Sequence, residues 1–251
     1  MGLKQETVVV VGATGEMGRV ICAELVAQQY DVLAVARSES DLQAMAEAMP
    51  SLRSCVTDIA DDGAESDISR SLQGPVRAVV HGPGVATAGG VLSALTSALV
   101  DAVNIKVGGM VRLVRACDGN LVQGARLIAI GGHYGFEPSA YAATAGVANA
   151  ALANLIRQYS WAYGERGITA HLIAPGPADT PRLHRVAAAR AERDGTSTET
   201  ILATMKAESA LGEFTSVESI AWAVTTLLSP HANALGGGTL FMDSARRRGL
   251  P

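Results

Sequence analysis

The chain has 251 residues, 48% of them hydrophobic and 18% charged, with a net charge of −4. That composition excludes a disordered chain, and it disfavours a nucleic-acid binder working through a basic face. The longest apolar runs are broken by glycine, charged or polar residues, which argues against a membrane partner, and Cys22, Cys55 and Cys117 lie too far apart for a CxxC or zinc pattern, so no metal site is expected.

The N-terminus enters a strand at once, without the pattern of a signal peptide, and a cytoplasmic protein is expected. Runs rich in β-branched residues recur at 7–11, 31–36, 52–56, 76–80, 126–130, 168–174 and 238–242. They are short and nearly all apolar, as strands covered on both faces must be. Amphipathic stretches separate most of them. In the first, Met17, Val20, Ile21 and Leu25 face inward, with Glu24 and Gln28 outward. Alternating β and α segments predict an α/β fold: a single Rossmann-type, doubly wound parallel sheet of about seven strands with helices on both faces, filling 1–251 as one domain. The stretch 181–211, rich in Ala, Arg, Glu and Thr, breaks the rhythm and is expected to form two short helices as a lid. Its arginines, Arg182, Arg185, Arg190 and Arg193, are read as a solvated face, though they could attract an acidic substrate. Arg246 to Arg248 are read as an exposed tail.

The most informative motif is the turn Gly12-Ala13-Thr14-Gly15-Glu16-Met17-Gly18 between the first strand and the first helix. Gly12 permits the tight turn, Gly15 lets backbone approach a pyrophosphate, and Gly18 lets helix and strand pack closely. The helix N-terminus offers free N–H groups and partial positive charge to phosphates. Glu16 suits such a site only if it points outward. The second strand ends at Ala36, where an NAD-binding chain commonly has an acid, and Arg37 and Ser38 follow. A guanidinium fork suits a ribose 2′-phosphate, so NADP(H) is favoured over NAD(H).

Further landmarks follow in order, and with them the chain resembles the short-chain dehydrogenase/reductase family from about residue 7 to residue 243. The GxxGxxG spacing is similar to that of extended or divergent members. Asp58-Ile59 resembles the pair that contacts adenine. His81-Gly82-Pro83-Gly84 stands where the family has Asn-Asn-Ala-Gly. Asn104 resembles the active-site asparagine of the central helix. Pro175-Gly176-Pro177-Ala178-Asp179-Thr180 resembles the Pro-Gly-x-x-x-Thr segment that positions the nicotinamide carboxamide.

The family's catalytic residues are not matched. The resemblance implies a Ser, a Tyr and a Lys, the last two as YxxxK on one helix. Here the Ser position falls on Gly132, and the chain's only lysines are Lys4, Lys106 and Lys206. A register with a shortened loop keeps Tyr141 as the Tyr and puts Ala145 at the Lys. The gapless register, which is preferred, puts Ala145 at the Tyr and Asn149 at the Lys, with Tyr141 one helical turn earlier. His133, Tyr134 and Tyr141 cluster beside the missing groups and, with Asn104, are the catalytic candidates. Lys106, two residues from Asn104, faces another way on a helix and is read as structural.

The resemblance implies an NADP(H)-dependent oxidoreductase acting on a small carbonyl or alcohol with a non-standard proton relay. A non-redox enzyme on this scaffold (a cyclase, dehydratase or isomerase) and a non-catalytic cofactor-binding homologue stand as alternatives. It also implies a homodimer or homotetramer paired through helices around 94–116 and 142–163.

Overall fold

A computed structural model describes residues 6–85 and 89–249. Seven parallel strands form one sheet: β1 (Thr7–Val11), β2 (Asp31–Ala36), β3 (Leu52–Val56), β4 (Val76–His81), β5 (Leu121–Ile130), β6 (Thr169–Pro175) and β7 (Thr239–Met242). Their order is β3-β2-β1-β4-β5-β6-β7. The chain winds outward one way from β1 and then returns to β4 to wind the other way. The switch point therefore lies between β1 and β4, where ligands of open α/β sheets bind at the strands' C-terminal ends.

The strand sequences explain the layers. In β1, Val8 and Val10 enter one core and Val9 and Val11 the other, all essentially inaccessible to solvent. Helices α1 (Glu16–Ala27), α2 (Glu39–Ala48) and α9 (Val217–Leu227) cover the first face through Ile21, Leu25, Leu42, Met45, Ile220 and Val224. Helices α3 (Ala64–Ser71), α5 (Gly109–Cys117) and α6 (Ala143–Tyr163) cover the second through Ile68, Met110, Leu113, Leu152 and Ile156. A helix α4 (Thr96–Val103) runs into α5 through one π-helical turn, Asn104–Gly108. The three cysteines are buried free thiols. No helix among the described residues is long and apolar enough to cross a membrane.

The strand runs read from the sequence match the sheet within a residue or two, except at β5. That strand begins five residues early, at Leu121, where it pairs with Val76. Gly124, with φ of +80°, breaks the apolar run there and hides the strand's first half. Downstream in β5, Arg126 is fully buried and donates to the carbonyls of Leu227 (2.7 Å), Gly124 (2.9 Å) and Ser229 (2.9 Å), tying the strand to the end of α9.

The segment after β6 forms α7 (Pro181–Asp194) and α8 (Thr198–Ala207). Of the C-terminal arginines Arg248 is exposed, but Arg246 and Arg247 are tied down. Arg246 pairs with Glu208 and donates to the Met205 carbonyl (3.2 Å), and Arg247 stacks on Phe241 at 3.8 Å. The backbone turns back at Asp243, whose carbonyl and carboxylate accept the N–H groups of Arg246 and Arg247.

Candidate active site

The loops after β1 and β4 meet at the switch point. Gly12 has φ of +80°, and a Cβ there would lie 3.1 Å from the Pro83 nitrogen. A Cβ on Gly18 would lie 2.2 Å from the Gly12 carbonyl oxygen, so the turn closes only around glycine. Helices α2, α7, α8 and α9 each begin with a side-chain cap from Ser38, Thr180, Ser197 or Ser216. Helix α1 starts at Gly15 with none, which leaves its first N–H groups for an anion. Glu16 is exposed, which keeps its charge toward solvent. Thr14 gives its carbonyl to Arg19 (2.9 Å), and Met17 lines the cleft described below. These features fit the diphosphate of a dinucleotide.

At the end of β2, Ser38 caps α2 by accepting from the Asp41 N–H (3.2 Å). The Arg37 guanidinium is 76% exposed and sits 3.5 Å from Asp58. So exposed an ion pair is worth well under 1 kcal/mol, and a phosphate can displace it. Ile59 is buried beneath, and its carbonyl accepts from Arg112.

A cleft of about 460 Å³ opens at the C-terminal edge of the sheet. Met17, Gly82 and Gly84 line the end next to the glycine turn, and Pro175, Gly176 and Thr180 also line the cleft. His133, Tyr134 and Tyr141 line the other end. In the gapless register, Ala145 and Asn149 stand at the Tyr and Lys positions, and both line the cleft one turn apart on α6. Gly132 and Asn149 fit each other, because a Cβ on Gly132 would meet the Asn149 amide nitrogen at 2.9 Å. A larger residue at 132 would have to displace the Asn149 side chain. The Asn149 Oδ1 is buried without a partner, an acceptor aimed at nothing the chain supplies.

The catalytic candidates separate on geometry. Tyr134 and Tyr141 share a hydroxyl–hydroxyl hydrogen bond of 2.8 Å, and the Arg190 guanidinium lies over the Tyr141 ring at 4.2 Å. Burial pushes both phenols up. For Tyr134 that burial and the bond it shares with Tyr141 take the pKa to about 12. For Tyr141 burial is outweighed by hydrogen bonds from Tyr134, Ser139 and Arg190, and its pKa falls below 10. Either hydroxyl can donate in the shared bond, and of the two phenols Tyr141 is the one whose charged form its surroundings favour. His133 is buried, faces the Pro175 carbonyl, and has its pKa pushed down to about 4, by burial first and then by Arg246. A ring held neutral in this way is a poor acid at neutral pH.

Asn104 is the candidate that does not reach the cleft through its side chain. Its amide donates to the Ala60 carbonyl (2.9 Å) and accepts from Arg112 (3.0 Å) on the far side of the helix. Asn104 and Lys106 do face opposite ways, but it is Lys106 that faces the cleft. The lysine is 4% exposed, and its Nζ donates to the Ile130 carbonyl at 2.8 Å. Burial, and then the Arg182 charge, pull its pKa down to about 8. Sequence periodicity separates two helix faces but does not say which one meets the cleft. The available signal was a lysine among the apolar and small residues of 102–110. Arg182, Arg190 and Arg193 also border the cleft; Arg182, Arg185 and Arg193 are exposed, as a solvated face requires, and Arg190 is half-buried. Among the described residues, no cluster of His, Cys, Asp and Glu could hold a metal.

A model of the family described as enoyl-(acyl carrier protein) reductase matches residues 12–244. No curated protein sequence matches the chain. Several solved structures share its fold. L-Sorbose reductase from Gluconobacter frateurii, complexed with NADPH and L-sorbose, superposes with a TM-score of 0.88 at 20% identity, over 100% of this chain and 99% of that one. An NADPH-bound short-chain oxidoreductase with an atypical catalytic centre, from Pseudomonas aeruginosa PAO1, gives 0.85 at 20% identity, over 98% of each chain. A variant of actinorhodin polyketide ketoreductase with NADPH gives 0.89 at 20% identity, over 96% and 97%.

Proposed function

The chain belongs to the short-chain dehydrogenase/reductase family, and on that premise we propose that it is an NADP(H)-dependent oxidoreductase of small carbonyl or alcohol substrates with a non-standard proton relay. The observation that carries this reading is a single cleft running from Met17 and Gly82 at the glycine turn to the Tyr134–Tyr141–Arg190 cluster. A bound nicotinamide would supply or accept hydride, and the chain's own groups would handle the proton. Gly12, Gly15 and Gly18 would hold the diphosphate and Arg37 and Ser38 the ribose phosphate. Asp58, Ile59, Pro83 and Gly84 would frame the adenosine and ribose, Asn149 would meet a ribose hydroxyl, and Pro175, Gly176 and Thr180 would hold the carboxamide end. The relatives' bound NADPH supports the nucleotide class.

In this reading Tyr141 passes the proton. Arg190 does electrostatically what a helix lysine does elsewhere in the family: a cation beside the phenol favours its charged form. Tyr134 keeps its own proton and holds the Tyr141 oxygen. Tyr141→Phe is expected to lower kcat for NADPH-dependent carbonyl reduction about a hundredfold. It should leave the NADPH Kd unchanged and remove the limb of the pH–rate profile that falls as the Tyr141 phenol ionises, below the ordinary phenol range. Unchanged turnover in that variant rules the relay out.

The Gly132–Asn149 exchange favours one second reading, a non-redox reaction in the same cleft. Substrate turnover without any change in NADPH absorbance identifies it.

We also propose that the chain assembles as a homodimer or homotetramer through α4 and α6, which expose Val100, Val147 and Trp161. Sedimentation at micromolar concentration should find at least a dimer, and a monomer counts against this surface.

A further inference from the structure

We propose that the cleft is built for a carbonyl substrate that carries a carboxylate, with Lys106 and Arg190 as its anchors. This inference rests on the oxidoreductase reading and deepens it.

The chain as a whole is acidic, with a net charge of −4. The cleft is the opposite: among the described residues that line it are one lysine and three arginines and no aspartate or glutamate. Acids next to lining residues are engaged elsewhere: Asp179, between Ala178 and Thr180, sits 2.9 Å from His184, and Glu137 and Asp243 act on His133 from behind the cleft. Glu137 accepts the Arg248 N–H (3.0 Å) and Asp243 the Arg247 N–H (3.1 Å). The cations differ in what they are free to do. Arg193 is paired with Asp194 at 2.7 Å. A Cβ on Gly84 would meet the Arg182 guanidinium at 2.8 Å, so that arginine belongs to the cofactor end. Lys106 and Arg190 remain, and neither forms an ion pair within the described residues.

Lys106 is the stronger of the two observations. A buried ammonium without a counter-ion is costly. Among the described residues its one hydrogen bond goes to the Ile130 carbonyl, a neutral acceptor that leaves two of its three N–H donors over. Its lowered pKa states the same deficit, and an anion in the cleft removes it. Arg190 borders the same cleft from α7, its guanidinium carbon 4.2 Å from the Tyr141 ring centroid, and its fork suits the bidentate geometry of a carboxylate. A cationic, low-dielectric cleft in an acidic protein also concentrates anionic substrates at its mouth.

The test uses the wild-type protein with NADPH and matched pairs of keto acid and methyl ester: pyruvate, acetoacetate and levulinate, each against its ester. In the best pair, kcat/KM for the acid should exceed that for the ester about tenfold or more. That ratio should fall toward one in Lys106→Met and in Arg190→Gln, the second variant lying on the lid and independent of any folding defect in the first. An ester reduced as well as its acid in every pair overturns the proposal. If neither member of any pair is reduced, the oxidoreductase reading fails and the anion site is decided alone by calorimetry on the same acids and esters. Binding of an acid but not its ester, lost in Arg190→Gln, upholds the site. Equal binding, or none, overturns it.

Discussion

Changing Gly18 to alanine is expected to weaken dinucleotide binding by up to about a hundredfold. The added Cβ would lie 2.2 Å from the Gly12 carbonyl oxygen and 2.8 Å from the Ala13 Cα, both of them backbone atoms that cannot swing aside. The turn has to open, and the N-terminus of α1 moves away from where the phosphates must sit. Overpacking of this kind costs about 3 kcal/mol, which is about a hundredfold in Kd if it falls wholly on binding. Some of it will fall on folding, because Val8, Val10 and Ala13 join α1 in one core. Gly63→Ala is the matched control, since nothing lies within 4 Å of a Cβ there. Calorimetry with NADPH should give wild-type affinity for the control and a Kd raised by up to about a hundredfold for Gly18→Ala. Wild-type binding by Gly18→Ala contradicts the role given to this turn.

Mild acid should unfold the protein. His81, His133 and His171 are buried, and burial first, then Lys106, Arg246 and Arg126 respectively, push their pKa values down to about 3, about 4 and about 4. Each also has a buried ring nitrogen without a partner, so a proton added there finds no acceptor. In the unfolded chain the same rings protonate near pH 6.5. Between 6.5 and 4 the unfolded state therefore binds about three more protons. The stabilising contribution of the neutral rings is complete above pH 6.5 and is lost as pH falls, at about 4 kcal/mol per pH unit near the middle of the window. Lys106 adds no slope there, because its depressed pKa of about 8 acts above neutrality. Scanning calorimetry from pH 7 to pH 4.5 should show Tm falling steeply, and a flat Tm shows that these rings are not held neutral.

Much of the frame was legible because its physics is local. A run such as Val8-Val9-Val10-Val11 suits only a strand buried on both faces, and a glycine-rich turn between strand and helix has few other uses. The missing half of β5 shows the limit, since one glycine at positive φ ends a pattern without ending a strand. The glycine turn, the Gly82–Gly84 loop and the Pro175–Gly176 segment arrive at the C-terminal edge because the sheet carries them there in order. The substrate end depends on tertiary reach. Whether Asn104 or Lys106 enters the cleft is decided by how the α4–α5 helix is rolled against β4 and β5, and a 3.6-residue period does not contain that information. Arg190 is a long side chain on a lid helix, indistinguishable from a solvated one until α7 lies along the cleft. The Gly132–Asn149 fit joins two residues far apart in sequence and emerges only from their packing.

The central claim is that this cleft begins in an NADP(H) site, and calorimetric titration of the wild-type protein with NADPH and NADH tests it most directly. The account predicts that NADPH binds at least about tenfold more tightly than NADH, through the charge-assisted contacts offered by Arg37. Failure of either nucleotide to bind would contradict it.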